Sequence, residues 1–156
     1  MNFAPVVCNS SPLIAVDQIG QLELLERLFT SVLVPPAVVR ETAPTVVLPG
    51  WITEQTLAQP IGPQILSASL GPGESEAISL ALEIHAAWIV LDDRPARRLA
   101  QALGLTVMGT LGLLLAAKRR GFLAVVKPSL DSLVNHGFHV AADLYQRILT
   151  DASESP

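Results

Sequence analysis

The chain has 156 residues, half of them apolar but only 4% aromatic, so its core must consist mainly of Leu, Val, Ile and Ala. This length fits one domain with a full hydrophobic core. The net charge of −4 is unevenly distributed, because residues 94–127 hold seven basic residues and no acidic one. The single cysteine, Cys8, excludes an internal disulfide, and we expect a cytoplasmic protein that buries Cys8 in its core.

Short apolar runs alternate with helical patterns along the chain. In chain order, the first half is predicted to hold a strand at 4–8, a helix from Ser10 or Ser11, a helix at 22–29, a strand at 32–34, a helix at 35–41 and a short strand at 51–52. The second half is predicted to hold helices at 63–70 and 74–85, a strand at 88–91, a helix at 94–103, a strand at 105–108, a helix at 110–120, and two helices around residues 130 and 144.

This alternation of strands and helices argues for an α/β fold with a largely parallel sheet. We predict a single domain over residues 1–150 and a short polar tail over 151–156. Residues 99–117 carry no charge and lie between basic clusters, so their length would allow a membrane span. Because glycines and polar residues divide this run, a helix end, a strand and a new helix explain it better, and we expect no membrane partner.

Acidic and amide side chains fall where predicted elements begin or end. They are Asn9, Glu41, Glu74, Glu76, Asp92 and Asp93. In parallel sheets, ligands bind outside the carboxyl ends of the strands, where Asn9 and the two aspartates are predicted to lie. Carboxylates without a His/Cys cluster suit a hard cation such as Mg²⁺ or Mn²⁺, which can activate water for phosphodiester hydrolysis. Alternatively, acids in a first helical turn serve only as caps, although this does not explain Glu41 at a helix end.

Four motifs, in order along the chain, resemble an uncharacterised family of bacterial and archaeal PIN-like proteins. They include Asn9-Ser10-Ser11-Pro12, Gly73-Glu74-Ser75-Glu76, Leu91-Asp92-Asp93-Arg94 and Gly109-Thr110-Leu111-Gly112, and the likeness covers about residues 4–150. The resemblance implies a three-layer α/β/α sandwich with a central, mainly parallel sheet. It also implies a ribonuclease that depends on Mg²⁺ or Mn²⁺ and hydrolyses single-stranded RNA, a homodimer, and a toxin with an antitoxin protein as its partner.

Matched by position, the resemblance assigns catalysis to Glu41, Glu76 and Asp93, and metal binding to these three with Asn9 and Asp92. Contacts to RNA are expected from Ser10, Arg94, Arg97, Lys118, Arg119 and Arg120, although the basic residues could equally form solvated helix faces. Asn9 departs from the family pattern, because an aspartate is expected there. A neutral amide should weaken the binding of a hard cation, so a catalytically weakened module that binds nucleic acid or protein is the alternative function.

Overall fold

A computed structural model describes residues 5–156 and contains one five-stranded sheet in that range. The strands are β1 (Val6–Cys8), β2 (Val32–Val34), β3 (Ile52–Glu54), β4 (Trp88–Val90) and β5 (Val107–Met108). Their order is β3-β2-β1-β4-β5, and all four neighbouring pairs are parallel, which confirms the predicted parallel sheet. Ala4, predicted to begin the first strand, lies outside the described residues.

Nine helices occur within residues 5–156. They are α1 (Ser10–Gln18), α2 (Glu23–Leu28), α3 (Pro36–Thr42), α4 (Ile61–Leu66), α5 (Pro72–Glu83), α6 (Arg94–Ala102), α7 (Thr110–Arg119), α8 (Lys127–Asn135) and α9 (Ala142–Asp151). Most lie within two residues of their predicted bounds. The clearest difference is α4, which ends at Leu66 instead of residue 70. There the Ser67 hydroxyl donates to the Gln64 carbonyl at 2.8 Å, a local bond that competes with helix continuation.

The sheet separates two apolar clusters, because successive residues of a strand face opposite sides. Val6 and Cys8 of β1 pack on the side of α1, α2, α7, α8 and α9, whereas Val7 packs on the side of α5 and α6. This arrangement confirms the three-layer sandwich. Burial raises the pKa of Cys8 to about 12, so its thiol stays protonated and serves as a core side chain.

The uncharged run at 99–117 is divided among the end of α6, strand β5 and most of α7. Over residues 5–156, no helix combines the length and the apolar character that crossing a membrane requires.

Residues 151–156, predicted to be a polar tail, are held to the rest of the domain through Glu154. Its carboxylate accepts hydrogen bonds from the N–H groups of Val126 (2.6 Å) and Lys127 (3.0 Å) at the start of α8. It also pairs with Lys118 Nζ of α7 at 2.7 Å. Burial alone would raise the pKa of Glu154, but the hydrogen bonds from Lys118 and the two backbone N–H groups lower that pKa overall.

We expect Glu154→Ala to lower the free energy of unfolding by about 2–3 kcal/mol, because two backbone donors and the Lys118 ammonium lose a charged partner. The Glu154 side chain is only 10% exposed, so water replaces it poorly. Urea denaturation measures the change, with Asp151→Ala at the exposed end of α9 as the control. Since the folded pKa of Glu154 is lowered, its stabilisation is present above its ordinary pKa of 4.5 and disappears as the pH falls through the lower value. Equal losses in the two variants would contradict a structural role for Glu154.

Candidate metal and nucleic-acid site

The sheet order places the ends of β1 and β4 side by side at the centre of the sheet. From β1 the chain continues to β2 and β3, then returns through α5 to β4 on the other side of β1. Open parallel sheets bind ligands at such a topological switch point. Asn9 directly follows β1, and its backbone N–H donates to the Val90 carbonyl of β4 at 3.1 Å. Asp92 and Asp93 lie just beyond β4, so the predicted polar residues of both strands meet here.

Asn9 places an unsatisfied oxygen at this point. The residue is 3% exposed, and its side-chain oxygen, Oδ1, has no hydrogen-bond partner within residues 5–156. Asn9 occupies the N-cap position of α1, yet its side chain caps no backbone N–H there. Leaving a buried carbonyl oxygen unpaired costs about 1–3 kcal/mol, so its retention favours a functional role.

The start of α5 approaches Asn9 and the end of α3 closely, because residue 73 is a glycine. A Cβ at Gly73 would overlap with Glu41 Oε1 and would lie 3.1 Å from Asn9 Oδ1. Ser10 fixes the same carboxylate, since its hydroxyl donates to Glu41 Oε1 at 2.7 Å. The side chains of Glu41 and Asn9 therefore both lie close to the backbone of Gly73, which carries no side chain. Ser10 contacts the Glu41 carboxylate.

Glu74 faces the site from the first turn of α5. Burial raises the pKa of Glu74, and the negative charge of Asp93, which lies within hydrogen-bonding reach, raises it further, as does the charge of Glu41. Asp93 also caps α6, because its Oδ2 accepts from the Ala96 N–H at 3.0 Å. The charges of Asp93 and Glu41 thus oppose the ionisation of Glu74, and a bound divalent cation would relieve that repulsion.

Two acids predicted as metal ligands are engaged elsewhere. Glu76 Oε1 accepts from the Ala37 N–H in the first turn of α3 at 2.9 Å, and Oε2 lies 3.8 Å from the Arg40 guanidinium. Asp92 caps α7, with Oδ1 and Oδ2 accepting from Thr110 N (2.8 Å) and Oγ1 (2.5 Å). The geometry therefore favours Glu74 over Glu76 as the acid that α5 contributes to the site.

The predicted basic residues divide into two groups. Arg94, Arg97, Arg119 and Arg120 line one cavity beside the switch point. Lys118, predicted to contact RNA, lies outside this group, because its ammonium binds Glu154 and donates to the Ala152 carbonyl. Lys118 thus has a structural partner, a carboxylate 36 residues along the chain, and its predicted contact with RNA stays a prediction.

The donor set at the switch point fits a hard cation better than a soft one. Within residues 5–156, no three His, Cys, Asp or Glu side chains form a ready-made cluster around a metal ion. Yet the groups that approach one another here, from Asn9, Glu41, Glu74 and Asp93, all offer oxygen. Oxygen ligands suit Mg²⁺ or Mn²⁺, whereas Zn²⁺ sites are usually built with His or Cys. The unpaired Asn9 oxygen and the raised pKa of Glu74 are the two observations consistent with such an ion.

The raised pKa of Glu74 predicts a pH-dependent stability difference between wild type and Glu74→Gln. Above the ordinary pKa of 4.5 the folded protein retains a proton that the unfolded chain loses, so the stability of the wild type relative to the variant falls as the pH rises. Thermal melts without metal, from about pH 4 to about pH 8, measure this difference. We expect Mn²⁺ to reduce it at neutral pH. A difference that does not change with pH would contradict the repulsion.

The fold and the site together define a three-layer α/β protein with an acidic centre at the switch point of a parallel sheet. The chain belongs to the PIN-domain family DUF3368, whose model matches residues 5–154. The resemblance to PIN-like proteins is thereby confirmed, and the chain is related to PIN-type nucleases. PIN domains generally use divalent metals, and membership of this family suggests nucleic-acid binding. No curated protein matches the chain.

Proposed function

We propose that the chain is a ribonuclease that hydrolyses phosphodiester bonds of single-stranded RNA with Mg²⁺ or Mn²⁺. The observation that carries this proposal is the unpaired, buried Oδ1 of Asn9, which lies beside Glu41 at the bare backbone of Gly73. The pair Glu74 and Asp93 faces the same centre, and Glu74 interacts with the charges of both Asp93 and Glu41. Family membership supports nuclease chemistry in general. The acidic centre at the switch point supports the proposal that this chemistry takes place there.

Asn9, Glu41, Glu74 and Asp93 would hold the ion, which when bound polarises the phosphate and lowers the pKa of a bound water. Ser10 orients Glu41 through its 2.7 Å hydrogen bond. The ion would also offset the negative charges of Asp93 and Glu41, which together with burial raise the pKa of Glu74. Arg94, which directly follows Asp93, and Arg97, three residues further along α6, would bring positive charge to the neighbouring phosphates.

We assign supporting roles to the remaining predicted acids. Glu76 anchors the first turn of α3, which carries Glu41 at its other end, and Asp92 anchors the start of α7. The catalytic role that family position gives to Glu76 remains a prediction, as do the homodimer and the antitoxin partner.

The alternative function is a module that binds RNA or protein without cleaving RNA. Asn9 favours it, because a neutral amide in place of the expected aspartate removes one negative charge from the centre and weakens its attraction for a divalent ion. This alternative predicts the same fold and the same basic cavity but weak metal binding and no turnover.

The test combines calorimetric titration with Mn²⁺ and cleavage of a labelled single-stranded RNA by the full chain. We expect Mn²⁺ to bind and cleavage to depend on it, with EDTA removing the activity. RNA binding without cleavage at saturating Mn²⁺ would favour the binding module. Absence of Mn²⁺ binding at millimolar concentration would reject the ribonuclease proposal.

A further inference from the structure

A cavity of about 810 Å³ lies against the edge strand β5, between α7 and the last part of the chain. Its wall is largely apolar and includes Trp88, Val107, Leu111, Ala116, Phe138 and Ile148. Both the volume and an apolar wall with a few charged groups are typical of sites for small organic ligands. Two aromatic side chains, Trp88 and Phe138, offer flat surfaces within it.

Positive charge surrounds this cavity. Arg94, Arg97 and Arg119 line it, and within residues 5–156 none of the three forms an ion pair with a carboxylate. The acid in its wall, Asp92, is already engaged by Thr110 through both oxygens. An occupant that matches both features has a flat apolar part and a negative charge.

Arg97 is held in position at the end of β4. Its Nη1 donates to the Leu91 carbonyl at 2.9 Å, and a Cβ at Gly109 would overlap with the same nitrogen. The bare backbone of Gly109 thus leaves room for the guanidinium. Because a guanidinium has five N–H donors, the bond to Leu91 leaves others for an anion.

The cavity is lined by residues that are adjacent in sequence to a residue of the acidic centre. Asp92 and Arg94 line the cavity, and Asp93, which lies between them, interacts with Glu74 in that centre. A strand with one phosphate at the centre would therefore bring a neighbouring nucleotide to the cavity. Single-stranded nucleic acid is bound by aromatic surfaces that stack bases and by basic groups that follow the backbone.

We propose that this cavity binds one nucleotide of single-stranded RNA, with the base against the apolar wall and the phosphate among Arg94, Arg97 and Arg119. The substrate class rests on the proposed function, but the binding itself requires no metal. The occupied cavity would set which nucleotide of the strand lies next to the acidic centre.

The test measures binding of a fluorescently labelled single-stranded RNA to the full chain in EDTA, where no metal-dependent cleavage occurs. Ala116→Leu fills the cavity from α7, and Arg94→Ala removes charge at its edge. The matched control is Arg98→Ala, an exposed arginine of the same helix α6 that does not line the cavity. We expect Ala116→Leu to weaken binding about tenfold or more and Arg94→Ala about threefold to tenfold, with Arg98→Ala within about twofold.

Trp88 reports occupancy directly in a Trp51→Phe background, because Trp51 precedes β3 at the opposite edge of the sheet. RNA should change the Trp88 emission, whereas a strand of the same length without bases should not. Equal effects of Arg94→Ala and Arg98→Ala, or unchanged binding by Ala116→Leu, would overturn the proposal. It would also be overturned if Ala116→Leu converted a dimer to a monomer in ultracentrifugation, since a second copy of the chain would then occupy the cavity.

Cleavage with Mn²⁺ separates this inference from the proposed function. RNA binding in the cavity without any cleavage would reject the ribonuclease and leave the inference intact. Cleavage with the same KM in wild type, Ala116→Leu and Arg94→Ala would support the ribonuclease and reject the inference.

Discussion

Replacing Glu74 by glutamine is expected to remove Mn²⁺ binding and at least about a hundredfold of any RNA cleavage, while raising the metal-free Tm at neutral pH. Glutamine keeps the size of the side chain but removes the charge that Asp93 and Glu41 repel. Loss of favourable charge in the first turn of α5 opposes this gain by about 0.3–1 kcal/mol. Replacing a structural acid would lower stability instead, so loss of metal together with a higher Tm distinguishes a ligand from a structural acid.

Glu76→Gln is the matched control, because it makes the same chemical change two residues further along α5. In the wild type, the Glu76 carboxylate accepts a hydrogen bond from the Ala37 N–H of α3, and the Arg40 side chain that pairs with Glu76 is 68% exposed. We expect a loss of about 0.5–1 kcal/mol of stability and Mn²⁺ affinity within about threefold of wild type. Calorimetry measures the Mn²⁺ affinity of both variants, and thermal melts measure their stability. If Glu76→Gln loses the metal and Glu74→Gln keeps it, the assignment from family position is right and ours is wrong.

The choice between Glu74 and Glu76 also shows what the sequence could not provide. Residues two apart on a helix point about 200° apart, so only one of them can face the switch point. Which one does so depends on how α5 packs against α3, and this is tertiary information. The sequence did contain one indication of this packing, because a glycine in the first turn of a helix allows other groups to approach its backbone closely. The groups that do so, Asn9 and Glu41, are distant from Gly73 in sequence and could not be identified from the pattern.

Local patterns served well wherever the determining interactions were local. The strand and helix positions followed from apolar runs, prolines and glycines, and the placement of Asn9 and Asp93 followed from the ends of strands. The strand order with β1 at the centre was not predicted, because it depends on pairing between distant segments. Lys118 illustrates the same limit, because it occurs in a basic run and its partner Glu154 lies near the end of the chain.

Gly73→Ala provides the sharpest test of the centre itself, because it adds one methyl group and no charge. The new Cβ would overlap with Glu41 Oε1 and would lie 3.1 Å from Asn9 Oδ1. The Glu41 carboxylate, at the end of a flexible side chain, must then move away from Asn9. We expect Mn²⁺ affinity to fall about tenfold or more, as for loss of a group that orients a ligand, with cleavage falling in parallel.

Stability should change by no more than about 1 kcal/mol, because the helix preference of alanine over glycine is opposed by displacement of the Glu41 carboxylate from its hydrogen bond with Ser10. Gly50→Ala is the control, because its Cβ would meet no atom within 4 Å. Calorimetry and thermal melts on both variants separate metal loss from unfolding. If Gly73→Ala binds Mn²⁺ like wild type, Asn9 and Glu41 are not ligands. Any ion must then be held by Glu74 and Asp93, and the unpaired Asn9 oxygen would need another explanation.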